Sequence, residues 1–240
     1  MTLTNHKPSL TIFFPCYNDR ETIGNLIKNA NTVAQEWTHD YEILVIDDGS
    51  SDGSRDILKN LQTRYPHLRT LFHEENQGYG AALQSGFYGA KKDWIFYTDG
   101  DGQYDVLELR KLLSLINESV DFVNGYKLKR SDAWYRKVLG GIYTITAKII
   151  FRIRIRDVNC DFRLMKRRMF ETVKLSSKSG AVGLELVKKV ELAGFKIMEC
   201  PIHHYPRSYG RSQFLNLRRI IQTILDLVRL RLQLNNHSYE

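Results

Sequence analysis

The feature that most restricts the fold is a regular alternation of short apolar runs and helical segments over the first 126 residues. Runs rich in β-branched and aromatic residues predict strands, and apolar residues at helical spacing predict helices between them. The predicted strands are 10–14, 41–46, 69–73, 94–98 and 121–125, and the predicted helices are 19–37, 52–65, 80–90 and 105–117. Continuous apolar strands separated by helices favour an α/β fold with a mostly parallel central sheet and helices on both faces.

The alternation stops after residue 126. Helices are predicted at 134–151 and 183–193, strands at 162–166 and 195–200, and an amphipathic C-terminal helix at 214–234. In that last helix Leu217, Ile220, Ile221, Ile224 and Val228 form one apolar stripe. No linker composition divides the chain, so we predict one domain over 1–213 and a C-terminal amphipathic helix and tail over 214–240.

Charge is distributed unevenly along the chain. The net charge is +8, and 24 of the 35 Lys and Arg residues lie in 127–240. A basic half of this kind favours a polyanionic partner, which leaves nucleic acid, a phosphorylated substrate or an acidic membrane surface, beside the alternative of a merely solvated basic surface. No recognised nucleic-acid-binding module or aromatic platform accompanies the basic residues, so we predict that no nucleic acid is bound.

The sequence also predicts the cellular compartment of the protein. The N-terminus lacks a signal-peptide pattern, and no apolar stretch reaches the roughly 20 residues needed to span a bilayer. Cys16, Cys160 and Cys200 are widely spaced and have no metal-ligand spacing, so we expect buried thiols in a reducing environment. These features together predict a cytoplasmic protein, and the two basic amphipathic helices predict peripheral attachment at the inner face of a membrane.

The sharpest chemical feature is the acidic segment 98–103, TDGDGQ, directly after the fourth predicted strand. Alternate residues of an extended segment share a face, so Asp99, Asp101 and Gln103 can direct three oxygens at one hard cation. A DGDG string alone is more often a simple turn, but ligands of parallel sheets bind at the carboxyl ends of the strands, where this one lies. We therefore predict a Mg²⁺ or Mn²⁺ site formed by these three residues.

Two further polar turns follow predicted strands. The segment 46–54, IDDGSSDGS, offers carboxylates that can accept hydrogen bonds from a nucleobase or ribose, although an Asp/Gly/Ser turn and helix cap is the alternative. The segment 76–83, NQGYGAAL, contains Gly80 in a small-residue turn that allows a ligand to approach the backbone closely. It lacks the Lys-Ser/Thr of a Walker A loop and the third glycine of a dinucleotide fingerprint.

Taken in order, these motifs resemble family 2 of the glycosyltransferases, and within it the dolichyl-phosphate mannose or glucose synthase-like group. The resemblance extends over nearly the whole chain, through segments 14–19 (FPCYND), 156–163 (RDVNCDFR) and 206–213 (PRSYGRSQ) as well as the turns above. It implies the A-type glycosyltransferase fold. It also implies nucleotide contacts from Pro15, Tyr17, Asp19 and Asp48, and a metal that bridges the donor diphosphate.

The resemblance also implies an acceptor-phosphate site made of Lys127, Arg136, Arg207 and Gln213. Arg is usual in the family where Lys127 stands, Lys is common where Gln213 stands, and Asp161 replaces a familiar glycine. Asp99 and Gly80 complete the predicted nucleotide-binding set.

The predicted reaction transfers a hexose, with inversion, from a nucleotide sugar of the GDP-mannose or UDP-glucose type to a polyprenyl phosphate. We assign catalysis to Asp101 at the metal, to Arg136 and Arg207 as phosphate clamps, and to Asp157. Asp157 or Asp161 could serve as the base for a hydroxyl acceptor, although pairing with the adjacent Arg156 or Arg163 would make either of them structural.

Two questions stay open, the acceptor and the packing of the C-terminal helix. The alternative enzyme is a family 2 glycosyltransferase with a hydroxyl acceptor in surface polysaccharide or glycoconjugate synthesis. The C-terminal helix could pack on its own domain, on a second protomer in a homo-oligomer, or on lipid.

Overall fold

A computed structural model describes residues 7–128, 134–207, 209 and 217–236, with backbone only for 134–140, 142–143, 217–220 and 235–236. It confirms the predicted α/β class, with seven strands in one sheet. The strands are β1 (Leu10–Cys16), β2 (Tyr41–Asp47), β3 (Leu68–Phe72), β4 (Trp94–Thr98), β5 (Phe122–Lys127), β6 (Phe162–Lys166) and β7 (Ile197–Ile202).

The sheet has the order β3-β2-β1-β4-β6-β5-β7. Strands β3, β2, β1 and β4 are mutually parallel, and β5 and β7 also pair in parallel. Strand β6 runs antiparallel to both β4 and β5. This single reversed strand joins an N-terminal block of four strands to a C-terminal block, so the sheet is mostly parallel, as predicted.

Helices cover both faces of the sheet. They are α1 (Ile23–Trp37), α2 (Ser54–Arg64), α3 (Tyr79–Gly89), α4 (Leu109–Leu113), α5 (Trp134–Phe151), α6 (Met169–Thr172), α7 (Val182–Leu192) and α8 (Leu217–Asn236), with a 3-10 turn at Val106–Glu108. Alternate residues of β1 enter two separate buried clusters: Ile12 and Phe14 pack with α1 and α2, and Phe13 packs with α3 and α7. Burial on both sides explains the uninterrupted apolar strands.

Most predicted elements are confirmed within two or three residues; one prediction is corrected, and one helix was not predicted. The helix predicted over 105–117 is broken into the 3-10 turn and the five-residue α4. The chain has left the helix before Asn117, whose side-chain oxygen accepts the N–H of Ser119 at 2.9 Å in a turn. The short helix α6 was not predicted, because four residues are too few to show a helical period.

Helix α8 is apolar on two faces. Leu230 is buried, and Leu227 and Leu234 pack against the cluster that contains α3 and α7. The residues of the predicted stripe that the structure describes face outward: Ile221, Ile224 and Val228 are each about half exposed. Of the three placements left open for the tail, the structure shows packing on its own domain, through a face other than the predicted stripe.

The structure also describes the three cysteines and the lengths of the helices. Cys16, Cys160 and Cys200 are all free and buried, as expected. Within the described ranges, no helix is both long and apolar enough to cross a bilayer.

Candidate active site

The predicted donor-side residues meet at the carboxyl ends of β1, β2 and β4. The backbone there is tightly packed, because a Cβ atom added at Gly100 would lie 2.6 Å from the carbonyl oxygen of Pro15 and 2.9 Å from Oδ2 of Asp19. Only glycine fits at that position. The acidic loop after β4 therefore lies directly on the loop after β1, which brings Asp19 beside the DGDG segment.

Asp99 is the first carboxylate of this loop and is half-buried. Its Oδ1 accepts a hydrogen bond of 2.7 Å from the hydroxyl of Tyr79. The β4–β6 ladder pairs Thr98 with Phe162, so Asp99 stands opposite Asp161, one step beyond the ladder. Burial, together with the negative charges of Asp161 and Asp101, raises the pKa of Asp99 well above its usual range. Such a carboxylate is stabilised in its charged form by a nearby cation.

Asp101 lies two residues further along and is buried. Its Oδ1 accepts the backbone N–H of Gln103 at 3.0 Å, and its Oδ2 accepts a hydrogen bond from Nη2 of Arg207. The Nε atom of Arg207 is buried and has no hydrogen-bond acceptor among the described residues. A predicted metal residue and a predicted phosphate clamp are thus in direct contact.

Gln103 has a different environment from the one predicted. Its side-chain Nε2 donates to the backbone carbonyl of Tyr205 at 3.2 Å, and its backbone carbonyl accepts the N–H of Tyr205 at 2.9 Å. These contacts hold the segment that carries Arg207 against the acidic loop. In the structure, the Gln103 amide therefore serves that segment, and its role at a metal stays a prediction.

The two aspartates satisfy the chemistry of a hard divalent cation. Mg²⁺ and similar ions bind to one or two protein carboxylates and complete their coordination with substrate phosphate oxygens. The described residues contain no group of three or more His, Cys, Asp or Glu side chains arranged around a common point for a metal. A cation at this site would accordingly need oxygens from a bound ligand as well as from Asp99 and Asp101.

Asp19 follows β1 and Asp48 follows β2. Burial, reinforced by the negative charge of Asp101, raises the pKa of Asp19 to about 6, although the N–H of Tyr17 donates to Oδ2 at 3.1 Å and opposes the shift. Asp48 accepts the N–H groups of Gln77 at 2.9 Å and Gly78 at 3.0 Å. Both oxygens of Asp48 therefore hold the glycine turn before α3, whatever else the residue contacts.

Gly80 was predicted to allow a ligand close to the backbone, and the structure gives another reason for the glycine. A Cβ at this position would lie 2.3 Å from the carbonyl oxygen of Ser177, and the N–H of Gly80 donates to the carbonyl of Lys178 at 2.9 Å. The close approach is made by the protein's own chain. The segment before α7 occupies the side on which a Gly80 side chain would lie, and a role of Gly80 in nucleotide binding stays a prediction.

On the predicted acceptor side, Lys127 and Asp157 form an ion pair of 3.2 Å. The side chain of Lys127 is only 5% exposed, and its Nζ also donates to the carbonyl of Asn159 at 2.5 Å. Although burial opposes it, the charge of Lys127 lowers the pKa of Asp157. A carboxylate with a lowered pKa is a poor general base, so the structure argues against that role. Of the structural pairings considered as an alternative, Asp161 lies 3.9 Å from Arg163, whereas Asp157 pairs with Lys127 instead of Arg156.

The other two predicted phosphate ligands are Arg136 and Gln213. The side chain of Arg136, in α5, and the whole of Gln213 lie outside the described residues. Their assignment to an acceptor phosphate stays a prediction.

The Asp157 ion pair predicts an acid-sensitive contribution to stability. A folded-state pKa below the ordinary value of 3.8 means that the charged carboxylate stabilises the fold above that pH and that this contribution is lost as the pH falls through the folded pKa. We expect the free energy of unfolding of the wild type to decrease below about pH 4, and that of Asp157→Asn to start lower and decrease less.

Urea unfolding between pH 3 and pH 7 measures this difference. Asp56→Asn is the control, because Asp56 is exposed and its nearest cation, Lys59, lies 3.9 Å away. An Asp157→Asn curve parallel to that of the wild type would contradict the prediction.

Arg163 was named from the sequence only as a possible partner of a neighbouring aspartate, and its complete burial was not predicted. Arg163 is fully buried in β6; its Nη1 donates to the hydroxyl of Tyr97 at 2.7 Å, and its Nε donates to the Asn124 side-chain oxygen at 2.9 Å. The Tyr97 hydroxyl in turn donates to Asp161 at 3.1 Å, and Asp161 lies 3.9 Å from Arg163. The available signal was an arginine between apolar neighbours in a predicted buried strand.

Comparison with known proteins establishes the family. The model of the domain described as "Glycosyl transferase family 2" matches residues 11–174, well over half of the chain. The chain belongs to glycosyl transferase family 2. The matched range runs from β1 to the end of α6 and includes both aspartates of the DGDG loop. The resemblance inferred from the motifs is confirmed at the level of the family.

Solved structures with the same fold support the architecture. A mannosyltransferase from Pyrobaculum calidifontis, in complex with GDP-Man and Mn²⁺, aligns with a TM-score of 0.67 at 18% identity; the alignment covers 94% of this chain and 65% of that one. A glucosyl-3-phosphoglycerate synthase from Mycobacterium tuberculosis, in complex with Mn²⁺, UDP-Glc and phosphoglyceric acid, gives 0.72 at 15% identity, with 93% and 80% covered. A mannosyl-3-phosphoglycerate synthase from Rubrobacter xylanophilus gives 0.67 at 14% identity, with 96% and 75% covered.

At these identities the likeness establishes the fold. It confirms that this family 2 glycosyltransferase has the predicted A-type fold. The chain spans just under two thirds of the length of the Pyrobaculum enzyme.

Proposed function

We propose that this family 2 glycosyltransferase moves a hexose from a nucleotide sugar of the GDP-mannose or UDP-glucose type to a polyprenyl phosphate, as dolichyl-phosphate mannose or glucose synthases do. The observation that carries the proposal is the contact between Asp101 and Arg207. This contact places the acidic loop, which is expected to bind the diphosphate of the donor through a metal ion, beside the guanidinium of Arg207. That guanidinium is suited to bind a second phosphate, that of the acceptor. Arg207 retains a buried Nε with no acceptor among the described residues, which suits a further anionic ligand.

In the proposed donor site, Asp99 and Asp101 would hold Mg²⁺ or Mn²⁺ next to the diphosphate of the nucleotide sugar. When bound, such an ion neutralises the charge that develops on the departing nucleoside diphosphate. The raised pKa of Asp99 supports this assignment, because burial next to Asp161 and Asp101 leaves its negative charge poorly balanced. Pro15, Tyr17, Asp19 and Asp48 complete the proposed nucleotide site.

The acceptor oxygen attacks the anomeric carbon while the bond from that carbon to the diphosphate oxygen breaks on the opposite face, which inverts the configuration. A phosphate monoester is already anionic near neutral pH, so the protein needs to position it rather than remove a proton. Arg207, with Arg136, Lys127 and Gln213, is proposed to do this. Lys127 contributes chiefly by fixing Asp157 and the loop before β6, because its own ammonium is already paired.

The outer surfaces of α5 and α8, the two long helices of the basic half of the chain, suit a lipid acceptor. Ile145 and Ile149 of α5 are 61% and 72% exposed, and Ile221, Ile224 and Val228 of α8 are each about half exposed. Exposed apolar residues on helices with basic polar faces are typical of helices that lie in a membrane interface. We propose that the protein attaches peripherally, at the cytoplasmic face of a membrane, where a polyprenyl phosphate presents its head group.

One observation favours a second candidate, a hydroxyl acceptor in surface polysaccharide or glycoconjugate synthesis. Asp161, which replaces a glycine that the resemblance leads one to expect, stands opposite Asp99 and keeps 19% of its side chain exposed. Burial raises its pKa, against the opposing charges of Arg163 and Lys127, so it is a better proton acceptor than Asp157. Two of the structurally similar enzymes are named for 3-phosphoglycerate.

The test is a transfer assay with the full chain, Mn²⁺ or Mg²⁺, and GDP-mannose or UDP-glucose. Acceptors are a short polyprenyl phosphate, the corresponding polyprenol and 3-phosphoglycerate. We expect transfer to the lipid phosphate and none to the polyprenol. Arg207→Gln should raise the KM for the lipid phosphate about 10-fold or more, because a hydrogen bond to a charged group contributes about 1.5–3 kcal/mol.

Arg156→Gln is the matched control. Arg156 is an exposed arginine of the same basic half, paired with Glu199 at 3.8 Å, and its replacement should leave the KM unchanged. If both substitutions raise the KM equally, the effect comes from the general positive charge of this half, and the assignment of Arg207 as a phosphate ligand is overturned. Transfer only to 3-phosphoglycerate or another hydroxyl acceptor would overturn the lipid-phosphate assignment, and no turnover of any nucleotide sugar would overturn the donor chemistry as well.

A further inference from the structure

Glu185 in α7 is a fully buried carboxylate outside the proposed substrate contacts. Its Oε1 accepts hydrogen bonds from the N–H of Ser176 at 3.0 Å and the hydroxyl of Ser176 at 2.9 Å, and its Oε2 accepts the N–H of Ser177 at 2.8 Å. The ammonium of Lys189 donates to Oε1 at 2.7 Å. These donors lower the pKa of Glu185 although burial opposes it, so the group is a charged anchor for the segment before α7.

That segment is held against the start of α3. The carbonyl of Ser177 accepts the side-chain Nε2 of Gln84 at 2.9 Å, and the carbonyl of Lys178 accepts the N–H of Gly80 at 2.9 Å. There is no room for movement toward the helix, because even a Cβ at Gly80 would lie 2.3 Å from the Ser177 oxygen. The position of residues 176–178 therefore fixes the position of the first turn of α3.

The first residue of α3 is Tyr79, which touches the candidate metal site. Its hydroxyl donates to Oδ1 of Asp99 at 2.7 Å. Tyr79 stands between Gly78, which is bonded to Asp48, and Gly80, which is bonded to Lys178. A continuous path of hydrogen bonds and close packing thus runs from Glu185 to Asp99.

We infer that Glu185 is a positioning residue for the metal–nucleotide site, acting through residues 176–178 and Tyr79 on the carboxylate of Asp99. The inference rests on the proposed role of Asp99 as a metal ligand. Residues that orient a metal ligand without touching the metal commonly change metal affinity or activity 10- to 100-fold when replaced. In Glu185→Gln, an NH₂ group replaces one of the two acceptor oxygens and faces donors, so residues 176–177 lose at least one hydrogen bond.

Glu42 provides a matched control at the opposite end of the sheet. It is buried at the start of β2 and accepts the same three kinds of donor: the N–H of Lys91 at 2.7 Å, the hydroxyl of Thr11 at 2.8 Å and the guanidinium of Arg69 at 3.1 Å. Glu42→Gln should therefore destabilise the fold in the same way without affecting the metal site.

The experiment titrates Mn²⁺ into wild type, Glu185→Gln and Glu42→Gln in the presence of GDP or UDP, and measures free Mn²⁺ by electron paramagnetic resonance. We expect about 10-fold weaker Mn²⁺–nucleotide binding in Glu185→Gln and no change in Glu42→Gln at a temperature where all three are folded. Wild-type affinity in Glu185→Gln would overturn the inference alone. Absence of Mn²⁺–nucleotide binding by the wild type would overturn the proposed metal site, and the inference with it.

Tyr79→Phe tests the path. This variant removes the hydroxyl that Asp99 accepts, and it should weaken Mn²⁺ binding by itself. If Glu185 acts through Tyr79, the double variant should bind Mn²⁺ about as well as Tyr79→Phe does. Additive losses in the double variant would show that Glu185 does not act through this hydroxyl and would overturn the inference as stated.

Discussion

Replacing Asp101 with asparagine should lower kcat/KM for hexose transfer by roughly 10²–10³-fold. The substitution keeps an oxygen that can accept the N–H of Gln103, but it removes the negative charge that faces Arg207 and the proposed cation. A catalytic metal contributes several kcal/mol to the transition state, and each 1.4 kcal/mol corresponds to a factor of about ten. The measurement is steady-state transfer over a range of Mn²⁺ concentrations, which separates weakened metal binding from slower chemistry.

Asp105 supplies the control for this experiment. Its Oδ1 accepts the N–H of Leu107 at 2.9 Å, which is the same local hydrogen bond, two residues ahead, that Asp101 makes with Gln103. Asp105→Asn should keep wild-type activity within a factor of about two, because the hydrogen bond stays and no proposed ligand is lost. Full activity in Asp101→Asn would contradict the assignment of the acidic loop to the metal.

Replacing Arg163 with methionine should reduce the free energy of unfolding by about 3–5 kcal/mol, the usual result of removing one member of a buried charged network. The side chain is fully buried, and its loss leaves Asn124 and the carbonyl of Val158 without their donor. It also leaves Asp161 beside Asp99 with no compensating guanidinium.

Thermal and urea unfolding measure this effect, and a decrease in Tm of about 10 °C is expected for a chain of this size. Arg167→Met, four residues along on the exposed surface, should stay within about 0.5 kcal/mol of the wild type. An Arg163→Met protein with wild-type stability but no activity would show that Arg163 serves the site more than the fold. Equal stability of the two variants would contradict the structural role given to Arg163.

The fold was predictable because its signal is local. Strand β4 (Trp94–Thr98) and strand β6 (Phe162–Lys166) begin and end where the apolar runs indicate, and α5 (Trp134–Phe151) follows its helical period. The reversed direction of β6 was not predictable in this way. An apolar run has the same composition in either direction, and only the pairing with β4 and β5 reveals it.

The candidate site was predictable where the chemistry lies within one turn. Asp99 and Asp101 follow one predicted strand, and their spacing together with that position indicated an oxygen-rich site. The contact of Asp101 with Arg207 joins positions 106 residues apart, so no local pattern could indicate it. The resemblance named both residues, but not their proximity.

Several residues that the sequence suggests as ligand contacts also stabilise the fold through contacts within the protein. Asp48 holds the turn at Gln77 and Gly78, and Gly80 makes room for the chain at Ser177. Polar turn residues and glycines are required equally by tight turns and by bound phosphates, so sequence alone does not separate the two uses. Lys127 is a third case, since its ammonium is paired with Asp157.

The sheet order has a consequence for how the chain folds. Strands β1 to β4 pair with one another within residues 10–98, and β5 to β7 pair within 122–202, so only the β4–β6 ladder connects the two blocks. During synthesis the first block can complete its own ladders early, while the outer edge of β4 waits for β6 to emerge more than sixty residues later. That edge carries Trp94, Ile95 and Phe96, a stretch prone to pairing with other chains when exposed. Docking of the second block thus completes the site and also protects the nascent protein from aggregation.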